Sequence, residues 1–476
     1  MPLSDLSASA LSAGLKARTF SASEVMAETL ARIEAVNPAL NALVSLRPAE
    51  ALLAEAEAAD REAPRGWLHG VPVAIKDLIA VRGIVCSSGS PLYATFVPDA
   101  DDGLAARLRN AGAIIIGKTN VPEFGLGSHT FNPVFGATAN PYDPALSAGG
   151  SSGGAAAALA ARLVPVADGS DAMGSLRNPA AFCNVYGFRP SFGLVPGEPE
   201  GDTFLHQLAT NGPMARTVED IARLLFTLAE PDARLPHGRA REDYATGLDT
   251  NIAGRRIGWL GDWGGALAME PGIVPLCEAA LEVFAAQGAE VEALKPPFAL
   301  SEIWQAWTTL RSWSNAMGLA EQYRDPAQRA HLKPEAVWEI ERGLALSAED
   351  VHRASVIRSR WFVRAAELFA TYDALALPSA QVWPFPKGWR YPERIGTVAM
   401  DSYHRWMEVV VPVSLLGLPA LALPAGFGPA GLPTGLQVFG PRGGDRRILQ
   451  LGQAYHRATD WPGRVPPGAG LPTSQG

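Results

Sequence analysis

Short apolar runs alternate with helix-like stretches along most of this chain. Residues 71–75 and 113–116 are apolar and rich in β-branched side chains, which predicts buried strands. Residues 104–110, which precede the second run, have the spacing of a helix. Strands that alternate with helices predict an α/β fold, in which helices pack over a β-sheet.

Further helices and strands are predicted before and after this region. Residues 20–36 predict an amphipathic helix, because Ser21 and Glu24 form a capping box and the apolar positions share one face. Residues 228–249 have a loop composition. Further helices are predicted at 48–61, 275–287 and within 300–369, and further strands at 256–260, 374–377 and 435–439.

Composition narrows the class of protein. The 476 residues are 47% hydrophobic and 18% charged, which suits a globular protein with a large core. A net charge of −8 without a basic cluster argues against nucleic-acid binding. The most apolar run, 155–167, is too short to span a bilayer, and no secretory signal is apparent. Three scattered cysteines suggest neither disulfides nor a metal site, so we expect a cytoplasmic protein.

One stretch, residues 147–190, carries the strongest chemical signal. It contains two glycine turns with serines, GGSSGG at 149–154 and GSDAMGS at 169–175, joined by an alanine-rich helix and a short strand. Glycines beside a serine allow a tight turn that brings backbone N–H groups next to the hydroxyl. Such N–H groups stabilise an oxyanion, so Ser175 is predicted as a nucleophile with Ser151 beside it.

A base for these serines lies upstream, at Lys76 in GVPVAIKD. The strand predicted at 71–75 would deliver this lysine to the end of the sheet rather than to solvent. Burial disfavours an ammonium group, so a lysine in this position becomes neutral near pH 7 and accepts a proton.

These residues resemble the amidase signature family, whose catalytic triad is Ser-cisSer-Lys. Lys76, Ser151 and Ser175 match the three members, and the two serines have the separation that the family requires. Motifs elsewhere agree in order: GAIIIGKTN at 112–120, NPVFG at 132–136, GPMAR at 212–216 and GLQVFG at 435–440. The resemblance covers nearly the whole chain.

The resemblance implies one amidase domain over residues 1–476, with a large mixed β-sheet sandwiched by α-helices and a helical cap. Within it, N-terminal helices occupy 1–65, the catalytic sheet occupies 66–228 and 374–460, and the cap or substrate region occupies 275–370. It implies a monomer or homodimer that acts on small amides, carbamates or esters, without a metal or cofactor.

The resemblance also assigns roles in acyl transfer. Lys76 would take a proton from Ser151, which would take one from Ser175 as it attacks a carbonyl. The backbone N–H groups of Ala172, Met173, Gly174 and Ser175 would form the oxyanion hole. Three further residues would support this machinery: Asp171 and Arg177 as a buried pair that braces the turn, and Ser152.

One departure from the family pattern concerns the substrate. Met173 stands where the family usually has glycine, and we expect its side chain to reach the substrate pocket. Leu126 and Gly127 are also placed in that pocket. Trp304 and Trp307 would add an aromatic wall. We therefore expect a neutral, hydrophobic amide, anilide or carbamate (urethane), with esterase side activity.

Three other interpretations follow from motifs or from the family. Residues 112–119 match a phosphate loop, but three consecutive isoleucines favour a strand instead. The G-x-S-x-G match at 149–153 would suit an α/β-hydrolase with a Ser-His-Asp triad using His404 or His456, but a proline-broken loop precedes it. Some members of the family are glutaminase subunits of tRNA-dependent amidotransferases, which is the third alternative.

Overall fold

An 11-stranded mixed β-sheet forms the centre of the computed structural model, which describes residues 2–467. In sheet order its strands are β1 (Leu43–Val44), β3 (Ile114–Thr119), β2 (Pro72–Lys76), β6 (Val166–Asp171), β8 (Thr210–Ala215), β7 (Tyr186–Arg189), β14 (Ala420–Phe427), β15 (Pro433–Phe439), β11 (Ala374–Pro378), β9 (Arg256–Trp259) and β10 (Glu290–Ala293). Two short hairpins stand apart: β4 (Phe131–Asn132) with β5 (Gly136–Ala137), and β12 (Arg394–Ile395) with β13 (Val398–Ala399).

Helices cover both faces of this sheet. Within the described residues they are α1 (Ala8–Ala17), α2 (Ala22–Leu40), α3 (Ala49–Arg61), α4 (Gly103–Asn110), α5 (Gly153–Ala160), α6 (Arg177–Cys183), α7 (Val218–Leu228), α8 (Ile273–Ala285), α9 (Leu300–Arg324), α10 (Pro326–Arg329), α11 (Pro334–Leu344), α12 (Ala348–Phe369), α13 (Val411–Leu416) and α14 (Asp445–Thr459). Short 3₁₀ segments lie at Leu3–Asp5, Pro91–Tyr93, Glu123–Gly125, Arg405–Val410 and Trp461–Gly463.

Alternating side chains give the central strands a hydrophobic cluster on each face. On β2, Val73 and Ile75 join the cluster with α4, α7, α8 and α14, whereas Ala74 joins the cluster with α2, α5, α9 and α12. Because side chains alternate along a strand, Lys76 leaves the sheet on the side of Ala74 and α5. The strand therefore directs this lysine under the glycine turn that begins α5.

Several sequence predictions are confirmed. Both hydrogen bonds of the capping box at Ser21 and Glu24 are present at the start of α2. The phosphate-loop match at 112–119 is largely the buried strand β3. The loop composition of 228–249 also corresponds to irregular chain.

Two predicted boundaries need correction. The N-terminal region predicted as helices contributes β1, which pairs antiparallel with β3 at the sheet edge. The predicted cap at 275–370 begins too early, because β10 within it pairs parallel with β9. Both strands are short edge strands, so their sequences carry little of the alternation that marks a longer strand.

The described residues contain no helix that is long and apolar enough to cross a membrane.

Candidate active site

Lys76 lies at the carboxyl end of β2 and is completely buried. Its Nζ donates to Ser151 Oγ at 2.8 Å, to Ser152 Oγ at 2.8 Å and to Ser170 Oγ at 2.9 Å. Burial lowers the pKa of this amine to about 7, against the opposite effects of the Asp168 and Asp171 carboxylates. The site therefore holds a lysine that loses its proton near neutral pH.

The glycine turn before α5 brings Ser151 and Ser152 to Lys76. Its Gly150–Ser151 peptide bond is cis, and Thr130 Oγ1 accepts a hydrogen bond from Gly153 N at 3.1 Å. Small residues are required because the backbones touch: a Cβ at Gly154 would lie 2.3 Å from Asn120 N. The turn is thus fixed by close contact with the segment that follows β3.

Ser175 lies on a second turn, between β6 and α6, and is 6% exposed. Gly174 takes the positive φ of 76° in this turn, and a side chain there would clash with Val410. Ser152 N donates to the Ser175 carbonyl at 3.3 Å, so the two turns are in contact. Within residues 2–467 no hydrogen bond joins the hydroxyls of Ser175 and Ser151.

The four backbone N–H groups predicted for the oxyanion hole are not equivalent. Gly174 N donates to Asp171 Oδ1 at 2.8 Å and is already committed. In the part of the chain that the structure describes, the N–H groups of Ala172, Met173 and Ser175 have no protein acceptor. These three N–H groups remain available to a substrate oxygen.

A buried ion-pair network holds the turn of Ser175. Asp171 accepts from Arg177 Nε at 3.0 Å, which is the pair that the sequence predicted, and also from Arg189 Nη1 at 3.0 Å. All three side chains have no exposed surface. The two guanidinium groups hold the pKa of Asp171 far below its usual range despite burial. Arg177 also donates to Gln437 Oε1 at 2.5 Å and to Ser414 Oγ at 2.6 Å, which ties the turn to β15 and α13.

The predicted pocket residues near the triad occupy different environments. Met173 is 3% exposed and packs in a hydrophobic cluster, and the positive φ of this turn belongs to Gly174 instead. Leu126 packs with residues of α9 and α11. Gly127 has a φ of 95°, and a Cβ there would lie 3.7 Å from the ring of Tyr403.

The predicted aromatic wall requires a correction. Trp307 is 0% exposed and stacks on Trp304 at 5.9 Å, and both rings lie edge-on to His404. A side chain with no accessible surface cannot form the wall of an open pocket. Trp307 is therefore part of the core, since its helix α9 is packed between α11 and α12.

A cavity of about 750 Å³ has aromatic walls from other parts of the chain. These are Trp338 of α11 and a later segment that contributes Trp389, Tyr391 and Tyr403. Its rim carries the ion pair of Arg390 and Glu335, at 2.5 Å.

Residues 125–128 lie between this cavity and the triad of Lys76, Ser151 and Ser175. A Cβ at Gly125 would lie 3.5 Å from Ser151 Oγ, and Gly127 faces the ring of Tyr403. Ser128 Oγ donates to the Gly150 carbonyl, which keeps the segment against the serine turn. The cavity wall and the candidate base relay are therefore separated by one stretch of backbone.

A buried polar network fixes Tyr403. Its hydroxyl donates to Glu339 Oε1 at 2.8 Å and accepts from Arg311 Nη2 at 2.9 Å. Glu339 also accepts from Arg311 Nε at 2.7 Å and from Ser312 Oγ at 2.6 Å. Helices α9 and α11 thereby set the position of the tyrosine ring.

The alternative of an α/β-hydrolase with a Ser-His-Asp triad has no support in this geometry. The hydroxyls of Ser151 and Ser152 receive hydrogen bonds from Lys76. His404 lies among the tryptophan rings, and His456 Nδ1 pairs with Tyr186 OH at 3.1 Å. Burial lowers the pKa of His404 to about 3, which makes it a poor base.

The Amidase family model matches residues 24–449. A glutamyl-tRNA(Gln) amidotransferase subunit of Methylococcus capsulatus is 35% identical over 490 residues, covering 96% of this chain and 98% of its own. A bacterial aryl acylamidase of the amidase signature family superposes with a TM-score of 0.91 at 28% identity, covering 99% of this chain and 100% of that one. The structure of 6-aminohexanoate cyclic dimer hydrolase has a TM-score of 0.87 at 26% identity, covering 98% and 100%.

These likenesses cover nearly the whole chain and define its class as an amide-cleaving hydrolase. The chain belongs to the amidase signature family.

Three residues of this site were not predicted from the sequence: Ser170, Arg189 and Tyr403. Ser170 lies within the second glycine-turn motif, so its position in GSDAMGS was a usable signal. Arg189 and Tyr403 lie outside those motifs and reach the site only through the sheet and the packing of α9 and α11.

Proposed function

We propose that this protein hydrolyses amides by acyl transfer through Ser175, with Ser151 and Lys76 as a proton relay. The observation that carries the proposal is the state of Lys76. Its amine is buried, has a pKa of about 7 and lies 2.8 Å from Ser151 Oγ. A neutral amine in this position accepts a proton from a hydroxyl, which surface lysines do not do at neutral pH.

In the first step, Lys76 takes the proton of Ser151 as Ser151 takes that of Ser175. Ser175 Oγ then forms a bond to the substrate carbonyl carbon, and the carbonyl oxygen becomes negative. The N–H groups of Ala172, Met173 and Ser175 stabilise that oxygen. Each such donor is worth about 3 kcal/mol of barrier.

In the second step, the proton returns through Ser151 to the leaving nitrogen, and the C–N bond breaks. Protonation is needed because amine anions are poor leaving groups. Water then attacks the acyl-enzyme with the same relay and releases the acid. Asp171, Arg177 and Ser152 hold the turns in place during both steps.

We infer a hydrophobic or aryl amide, anilide or carbamate as the substrate, with esters as a side activity. The support is the aromatic cavity near the Ser151 turn, whose walls include Trp338 and Tyr403. Aromatic walls favour aryl groups through stacking and burial of apolar area. The similarity to an aryl acylamidase structure points in the same direction.

A substrate panel on wild type and Ser175→Ala tests this proposal. We expect p-nitroacetanilide, longer acyl anilides, an aryl carbamate and a p-nitrophenyl ester to be hydrolysed faster than acetamide or glutamine. The activity should disappear in the variant. If acetamide or glutamine is the better substrate, the aryl assignment is wrong; if activity survives Ser175→Ala, the nucleophile is wrong.

The second candidate is a glutaminase subunit of an amidotransferase. It is favoured by the 35% identity to the Methylococcus capsulatus amidotransferase protein over nearly the full length. Under this alternative, glutamine would be the best substrate of the panel, and activity would rise with partner subunits. Co-purification of the tagged protein from its own cells, followed by a glutaminase assay of the eluate, separates the two candidates.

A further inference from the structure

Beneath the triad lies a buried carboxylate, Asp168, to which the mechanism assigns no role. It is 2% exposed and lies on β6, beside β2, two residues before Ser170. Its Oδ1 accepts from the backbone N–H of Lys76 at 3.0 Å. Its Oδ2 is buried and has no hydrogen-bond partner among residues 2–467. A buried carboxylate with one oxygen that accepts no hydrogen bond destabilises the fold unless its charge interacts with a nearby group.

We propose that Asp168 is a positioning residue for Lys76, which holds the lysine backbone and sets the pH at which the relay becomes active. This inference rests on the proposed function, since it assumes that neutral Lys76 is the base.

The charged surroundings of Lys76 support this role. Asp168 and Asp171 lie on β6, Asp77 directly follows Lys76 in the chain, and Lys118 is on β3. Helix α5 carries no titratable group, and the buried Arg32 of α2 is directed to the Ala161 carbonyl.

Three of the four charged neighbours have other partners. Asp171 is paired with Arg177 and Arg189. Asp77 accepts from Ser87 Oγ at 2.5 Å, and Lys118 Nζ donates to the carbonyls of Ile79 and Lys76. Only the Asp168 carboxylate combines direct contact with the Lys76 backbone and an unpartnered oxygen within the described chain.

The direction of the effect follows from charge. A carboxylate favours the ammonium form of a nearby lysine and so raises its pKa, whereas burial lowers it. For Lys76, burial has the larger effect and Asp168 is the larger of the two opposing carboxylates, which together leave the pKa at about 7. Removing the charge of Asp168 should therefore make Lys76 neutral at lower pH.

Asp168→Asn tests this, because the amide oxygen still accepts from Lys76 N–H. In the pH profile of kcat/KM for p-nitroacetanilide, the rising limb should move about one unit to lower pH. Asp77→Asn is the matched control: it removes an equally buried carboxylate that faces Ser87 and Lys118, and its limb should stay at the wild-type pH. A lower rate at every pH with an unmoved limb would show a purely structural role and overturn the proposal.

A second readout does not depend on hydrolysis. The chain has only six lysines, at 16, 76, 118, 295, 333 and 387, so ¹³C-lysine labelling allows the Cε signal of Lys76 to be titrated by NMR. In the Ser175→Ala background, adding Asp168→Asn should move that titration to lower pH, and an unchanged titration contradicts the proposal. Asp168→Ser replaces Asp168→Asn if the latter does not fold. Should Ser175→Ala keep full activity, the proposed function fails, but the NMR comparison still decides the role of Asp168.

Discussion

The serine turns and the aromatic cavity are neighbours, yet they are built in opposite ways. The turns come from two glycine motifs within residues 149–175 and one strand end, at Lys76. Their polar groups are almost completely buried and paired, as in the Asp171 network. The cavity is formed by α11 and the chain from 389 to 403, and its ion pair includes an arginine that is 50% exposed.

From this contrast we expect the serine turns to determine the reaction and the aromatic cavity to determine which substrates bind. A buried frame of ion pairs and hydrogen bonds holds the reacting groups in one geometry, so changes there should affect every substrate. An open aromatic cavity contributes binding of the remote part of a substrate, so changes there should affect only substrates that reach it. Three predictions test that division.

The largest effect is expected within the triad. Lys76→Met and Ser151→Ala should each lower kcat by at least about 10³-fold for anilides and esters alike, since the relay acts as a unit. Ser152→Ala is the matched control: it removes one of three hydrogen bonds to Lys76 Nζ and should cost about tenfold. Steady-state kinetics check this, and equal losses for Ser151→Ala and Ser152→Ala would contradict the assigned relay.

The next effect concerns stability. Asp171→Asn leaves Arg177 and Arg189 buried without their carboxylate, so the free energy of unfolding should fall by about 3–5 kcal/mol. Glu335→Gln weakens the rim pair with Arg390, in which the arginine is 50% exposed and the glutamate 9%, and should cost less, about 1–2 kcal/mol, because the amide oxygen still accepts from the guanidinium. Denaturant unfolding of both variants measures the difference; similar losses would mean that the two regions do not differ as described.

The smallest effect is expected in the cavity. Trp338→Ala should raise KM for aryl anilides about three- to tenfold through lost aromatic contact, while kcat/KM for acetamide stays unchanged. Trp67→Ala, a partly exposed tryptophan in the N-terminal region, is the control and should change neither constant. An equal loss for acetamide would place Trp338 in the general framework rather than in substrate binding.

The same contrast explains what the sequence could reveal. Lys76, Ser151 and Ser175 could be proposed from the sequence because glycine turns and a buried strand end are local patterns. Trp307 was misjudged, since helical spacing does not say which face meets the core, and its side chain proved fully buried. The meeting of Trp338 and Tyr403 in the cavity wall could not be predicted, because they come together only after α9 and α11 pack and Glu339 fixes the tyrosine. The edge strands β1 and β10 were missed because each is too short to show a period.

The pH dependence of kcat/KM tests the central claim, that Lys76 acts as a neutral base. Since the base works only when deprotonated, the rate should rise with pH through about 7 and then level off. The buried histidines cannot produce this limb, because burial lowers the pKa of His129 to about 4 and of His404 to about 3.

Glu408 and Lys333 are the rivals that this measurement must exclude, because burial raises the pKa of Glu408 to about 7 and lowers that of Lys333 to about 8. The profile is therefore recorded between pH 5 and 9 for wild type, Glu408→Gln and Lys333→Met. We expect a limb near pH 7 in all three proteins. A flat profile, or a limb that disappears in either variant, would contradict the role of Lys76.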